Sequence, residues 1–178
     1  MTDFTSITSL IILALFPLCM IFATFTDLFT MTIPNKIVMA LLLGFVVLAP
    51  LSGMSTETAL WSVGVSVAVL VVGFTLFSFG AMGGGDAKLM AASALWFGTE
   101  LTMSYLLLTC LLGGALTILI LLARQIPLPV GMLNVTWINR LHDSREGIPY
   151  GAALGPAALY MFADSAWMRF ASQGIPIG

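Results

Sequence analysis

Six apolar runs divide this chain, and they leave it almost nowhere to put a water-soluble core. They cover about residues 7–25, 37–51, 59–79, 87–97, 101–123 and 148–170. A helix needs ~20 apolar residues to cross the hydrocarbon of a bilayer, and several of the runs come close to that. With 60% hydrophobic and only 8% charged residues over 178 positions, the chain is far from the roughly one-quarter charged residues of a soluble domain. The expectation is an all-α fold: a polytopic integral membrane helical bundle with about six transmembrane helices, forming a single domain over residues 1–178. The second and fourth runs are short. The fourth suits a buried or re-entrant helix, so five spans plus a partial one stays open.

Charge sets the orientation. Lys36 lies in the first connector, Lys88 at the third, and Arg124, Arg140 and Arg145 in the fifth, whereas the second and fourth carry Glu57 and Glu100. Basic residues mark the cytoplasmic side, which puts both termini on the non-cytoplasmic side, with Arg169 as the exception. The net charge of −2 and the scatter of six Lys and Arg argue against a nucleic-acid partner. Cys19 and Cys110 read as small buried hydrophobes, with no partner at disulfide or metal-ligand spacing. The first run carries Asp3 and no basic residue ahead of it and is too long for a signal-peptide core, so it reads as a retained span.

Two acids stand out against this background. Asp86 follows Gly83-Gly84-Gly85 and opens the fourth run; Asp27 closes the first. An ionisable group at the edge of a span is costly and marks a candidate functional site. Two spans separate the pair, so both fall on the cytoplasmic side. The glycines remove every Cβ ahead of Asp86, allowing positive φ and close approach. The plain alternative is a loop in which Asp86 caps the next helix and Asp27 marks a helix exit. Pro34 forces the first helix to end before it and extends Ile33, and Asn35 can cap the second helix.

Among the other acids, Glu57 and Glu100 lie on the opposite side. Asp143 and Glu146 sit in the most polar stretch, Asp3 is terminal, and Asp164 reads as an outer-face polar residue. His142, the only histidine, reads as a surface residue; no metal site and no cofactor are expected. The long connector 124–147 holds Val130, Met132, Leu133, Val135, Trp137, Ile138 and Leu141, which fits an interfacial helix with Trp137 at headgroup level. The bare stretch Gly151-Ala152-Ala153-Leu154-Gly155 lets something pack closely at the start of the last span, either another helix or the acids with a substrate strand.

A pair of carboxylates can hydrolyse an amide. One, ionised, takes a proton from water while the other, protonated, donates to the carbonyl oxygen, and like-charge repulsion between neighbours favours a single shared proton. Glycines beside one acid and the extended Ile33-Pro34 beside the other could give an extended peptide room. A small transporter or proton-relay component would also use buried acids and glycine-broken helices.

Gly83-Gly84-Gly85-Asp86 fits the Gly-x-Gly-Asp signature of membrane aspartyl proteases, and Asp27 followed by Ile33-Pro34-Asn35 resembles the first aspartate motif of type IV prepilin peptidases. Gly147-Ile148-Pro149-Tyr150-Gly151 is similar to the pattern at the start of their last span. The resemblance covers essentially the whole chain. It implies that Asp27 and Asp86 are the catalytic pair of an aspartic endopeptidase in the bacterial inner membrane, working at its cytoplasmic surface. The implied substrates are prepilins, which would lose a short basic leader ahead of their apolar helix. Gly83, Gly85, Pro34, Asn35, Lys88, Pro149, Tyr150 and Gly151 are then the residues expected to shape the site or bind substrate. Larger relatives add a cytoplasmic Cys-x-x-Cys domain and N-methylation. This chain resembles the compact form associated with Flp/Tad pili, with no methyltransferase activity expected. The client stays open, preflagellin included, as does association into a homo-oligomer or with pilus-assembly machinery.

Overall fold

The computed structural model describes residues 2–129, 131 and 134–177; Val130, Met132 and Leu133 of the expected interfacial helix lie outside the described residues. The regular elements among the described residues are helices: α1 (Thr2–Thr30), α2 (Asn35–Leu51), α3 (Thr56–Ser78), α4 (Gly84–Ala123), α5 (Thr136–His142), α6 (Gly151–Phe162) and α7 (Ala166–Gln173). Three stretches, Ile7–Thr30, Thr56–Ser78 and Gly84–Ala123, are long and apolar enough to cross a membrane. The chain is a helical membrane protein, with bare apolar faces along α1, α2 and α3.

α4 is two helices. Gly98 takes φ 58° and ψ −153° inside it, a backbone region essentially confined to glycine. The chain turns back there: Thr102 donates to the carbonyls of Gly98 and Ala94, the rings of Phe97 and Tyr105 lie 5.0 Å apart, and Thr117 returns to line the same cleft as Asp86. Where a connector around Glu100 was expected between two runs, a single glycine makes the reversal. The first arm, 84–97, is about 21 Å long at 1.5 Å per residue. Apart from Lys88 its residues from Asp86 to Phe97 are buried, so the short fourth run is the central helix of the bundle.

α3 lies along α4, and α6 packs between α1 and α4. Gly73 of α3 lets Ala87 in, since a Cβ there would stand 3.0 Å from that of Ala87, and Ser66 donates to the Ala91 carbonyl at 2.8 Å. Close backbone packing with hydroxyl bonds is how helices associate where burial of apolar surface gives no drive.

Aromatic rings fill the hairpin end. Phe16 stacks on Phe162 at 4.8 Å and meets Trp96 at 5.2 Å, and Trp96 meets Trp167 at 4.6 Å. Each buried indole N–H has a partner, Trp96 on the Leu41 carbonyl and Trp167 on the Trp96 carbonyl, as such groups require.

The last run is also broken. α6 ends at Phe162, and Ser165 starts α7 by accepting from the Met168 N–H at 3.2 Å, so a cap overrides an unbroken apolar stretch. Asp164 is exposed in the turn between them. Arg169, the exception in the charge count, pairs with Glu100 at 3.2 Å at this end. Cys110 is exposed and Cys19 half-buried, and both thiols are free, which corrects the expectation that both are buried.

Candidate active site

Asp27 is part of α1, one turn before its end, and not in the loop that follows. The helix runs on to Thr30, supported by Thr26 and Thr30 hydroxyls on preceding carbonyls. It stops where Met31 turns left-handed, φ 55°, with its N–H on the Asp27 carbonyl at 2.8 Å. The Asp27 side chain is 5% exposed. Its Oδ2 accepts from the Gly151 N–H at 2.7 Å. Gly151 is the first residue of α6, so this amide belongs to the unpaired set at a helix start, where a negative group is favoured. The glycine is required by space: a Cβ at position 151 would lie 2.7 Å from the Asp27 Cβ.

Asp86 stands in the first turn of α4, with Gly83 at the cap position. The acid itself is therefore not the cap. Gly83 has φ −70° and none of the three glycines has positive φ, so their role is room and not an unusual backbone. A Cβ on Gly83 would stand 2.6 Å from Asp86 Oδ2, and one on Gly85 would stand 3.3 Å from the Ile33 Cβ. The Asp86 carboxyl thus lies folded back over the Gly83 cap at the start of its own helix, where a negative group is favoured. Asp86 is 7% exposed.

Both acids line one cleft of about 550 Å³, together with Met31, Gly80, Ala81, Met82, Gly83, Thr117, Arg124, Glu146, Gly147, Ile148 and Tyr150. Each carboxyl lies at the N-terminal turn of a helix, Asp27 bonded to the first amide of α6 and Asp86 beside the Gly83 cap of α4. A second cavity of about 330 Å³, at the hairpin end, is walled by Trp61, Trp96, Trp167 and the Glu100–Arg169 pair; its one acid is already matched by a cation.

The residues singled out around the acids divide. Gly83 and Tyr150 line the cleft, Gly151 touches Asp27, and Gly85 seats the Ile33-Pro34 segment against the start of α4. Pro149 is fully buried just ahead of α6. Asn35 does not cap α2: Pro34 holds the cap position with no side-chain bond, and the Asn35 amide oxygen accepts from Lys88 Nζ at 3.3 Å. That contact ties the two acid-bearing segments together on an exposed face, outside the cleft lining.

Three features escaped the sequence. Gly113 forms a socket for the Tyr150 ring, where a Cβ would come within 2.7 Å of Cε1. Thr117 and Met31 complete the cleft walls. Arg124 spans from the end of α4 to three carbonyls, Leu141 at 2.8 Å and Glu146 and Gly147 at 3.1 Å. Farther out, α5 carries Trp137 edge-on to Phe29 at 5.4 Å. His142 borders a shallow polar concavity with Asp143 and Glu146.

Residues 14–118 match the sequence profile of the type IV leader peptidase family, a stretch that contains both acids. The chain belongs to the type IV leader peptidase family. No curated protein and no solved structure matches it. A type IV leader peptidase is a hydrolase of peptide bonds, and the cleft of this chain is lined by two buried carboxyl groups. The family match stops before Gly147–Gly151. For that segment the assignment to the site rests on the hydrogen bond from Gly151 to Asp27.

Proposed function

We propose that this protein is a membrane aspartyl endopeptidase that removes the short leader of Flp-like type IV prepilins, with Asp27 and Asp86 activating water between them. The observation that carries the reading is the convergence of two buried acids, from helices far apart in sequence, on one cleft. One carboxylate, ionised, accepts a proton as the water oxygen bonds to the scissile carbonyl carbon. The other, protonated, donates to the carbonyl oxygen. Collapse breaks the C–N bond, and the proton taken from water passes to the leaving amine. The fixed amide of Gly151 holds Asp27 and the close Gly83 cap confines Asp86, so little reorganisation accompanies the reaction.

The reading places the cleft at the cytoplasmic face of the inner membrane, with six membrane segments and both termini on the far side. Charge supports this. Lys88, Arg124 and Arg140 make their contacts around the acid end, on Asn35, Gly147 and Phe29, whereas Glu100 and Arg169 pair at the hairpin end. The apolar helix of a precursor would stay in the bilayer while its leader junction enters the cleft. The reading assigns leader removal alone, without N-methylation, and it makes the prepilin and the bilayer the partners.

Co-expression of the protein with a small Flp-type prepilin tests it. The precursor should shorten with the native chain and stay full length with Asp27→Asn and with Asp86→Asn. Cation flux in proteoliposomes without any cleavage would replace the peptidase by a transporter, and cleavage of a preflagellin in place of the prepilin would change the client.

A further inference from the structure

The connector between α4 and α6 touches α1 through Trp137 and Arg140 and is tied back to the end of α4 by a forked side chain. Arg124 ends α4, and its guanidinium splits its donors between two segments: Nε–H bonds the Leu141 carbonyl in the last turn of α5, and Nη2 bonds the carbonyls of Glu146 and Gly147. The first of these satisfies an otherwise unpaired carbonyl at a helix end, where a cation is favoured. The second fixes the strand of chain that leads through fully buried Pro149 and socketed Tyr150 to Gly151. Arg124 also borders the cleft itself, beside Asp27 and Asp86.

From this geometry we infer that Arg124 is a positioning residue: it clamps residues 141–151 against the cleft so that the Gly151 N–H stays on Asp27. The effect passes through the backbone. Without the clamp, residues 141–147 lose three bonds that join them to the end of α4, and the amide that orients Asp27 is left to the packing of Pro149 and Tyr150 and to the Thr24 hydroxyl on the Gly151 carbonyl. A lysine cannot substitute. Its ammonium is a compact point charge on a flexible stem, whereas the planar fork of arginine reaches two segments at once in fixed directions. This separates positioning from a simple effect of positive charge near two acids.

The inference rests in part on the leader-peptidase reading, so its test has an arm that needs no substrate. Hydrogen exchange of the full-length protein in nanodiscs is compared among the native chain, Arg124→Lys and Arg124→Ala. Both variants should speed exchange across 141–151, Gly151 included, and leave α1 to α4 as they were. In the cleavage arm, with a Flp-type prepilin as probe, both should lower kcat by ~10²-fold, the scale on which misplaced catalytic groups act, with KM within about threefold of the native value. Unchanged exchange at 141–151 overturns the clamp. So does faster exchange with unchanged kcat, and so does an Arg124→Lys variant that matches the native chain in both arms, which would leave charge as the whole role. If the native chain cuts no precursor, the peptidase reading falls while the exchange comparison still decides whether Arg124 holds the segment.

Discussion

The backbone N–H of Gly151 donates to Asp27 Oδ2 at 2.7 Å, joining two residues 124 positions apart. The start of one helix thereby fixes the acid at the end of another. The same glycine leaves no space for a side chain, because its hydrogen atoms face the Asp27 Cβ and carboxyl. Orientation of the acid and closeness of α1 to α6 are one constraint. Farther along the same contact, a Cβ on Gly155 would collide with the Thr24 hydroxyl, so the two helices are matched over more than a turn.

Replacing Gly151 by alanine should therefore damage catalysis more than folding. The added methyl must push Asp27 aside or move the start of α6, and either displaces the carboxylate. We expect kcat to fall by ~10²-fold, with the apparent melting temperature in detergent lowered by a few degrees, as for a mild overpacking defect. Steady-state cleavage and a thermal scan on the same preparation check this. A variant that melts normally and cleaves at the native rate would break the link between this contact and the reaction.

Asp27→Asn and Asp86→Asn should each abolish cleavage, and the double variant should be no worse than either, since groups that act as one unit are strongly non-additive. Stability should move the other way. Each substitution puts a neutral amide of the same shape in place of a buried carboxyl that is costly to ionise, and at position 27 keeps an acceptor oxygen for the Gly151 N–H, so neither variant should unfold earlier than the native protein. Residual activity that multiplies across the two single variants would mean that the acids work separately.

Activity should peak in a bounded pH range and fall on both sides. Below it both carboxyls hold protons and neither can take one from water; above it the shared proton is gone and nothing donates to the carbonyl oxygen. The two apparent constants belong to the pair and not to either residue. Cleavage rates measured in detergent over several pH units, limited to the range where the helical circular dichroism is constant, test this. A flat profile would remove the proton-sharing step.

How much of this was readable beforehand depended on whether the signal was local. Asp27 and Asp86 announce themselves because a charge inside an apolar run is expensive wherever it lies, and Gly83 adjoins the acid it makes room for. The helical membrane fold follows from run length. By contrast, the bonds from Arg124 cross 17 to 23 positions, and nothing at position 124 separates a clamp from a charge at a membrane face. The Gly113 socket for Tyr150 is a hole in a surface, invisible to any pattern of polarity. The break at Ser165 was masked because Ala166, Trp167 and Met168 prolong the hydropathy after it. Asn35 was misplaced because a capping residue type followed the proline, whereas tertiary contact with Lys88 took its side chain.

Gly98 gives the sharpest test of the architecture. The reversal of α4 brings Thr117 and Arg124 back to the acid end, and it depends on a single residue at φ 58° and ψ −153°, where a Cβ is strongly disfavoured. Space is short as well, since a Cβ there would lie 3.0 Å from the Ser62 hydroxyl. Gly98→Ala should cost ~1–3 kcal/mol of stability, read as an earlier transition on titration with SDS from mild detergent. Thr99→Ala, at the neighbouring position but with an ordinary helical backbone, should change it far less. At a temperature where Gly98→Ala remains folded, cleavage should persist, because the turn lies at the end of arm 84–97 away from Asp86. Equal stability of the two variants would mean that the chain reverses without the special backbone at position 98.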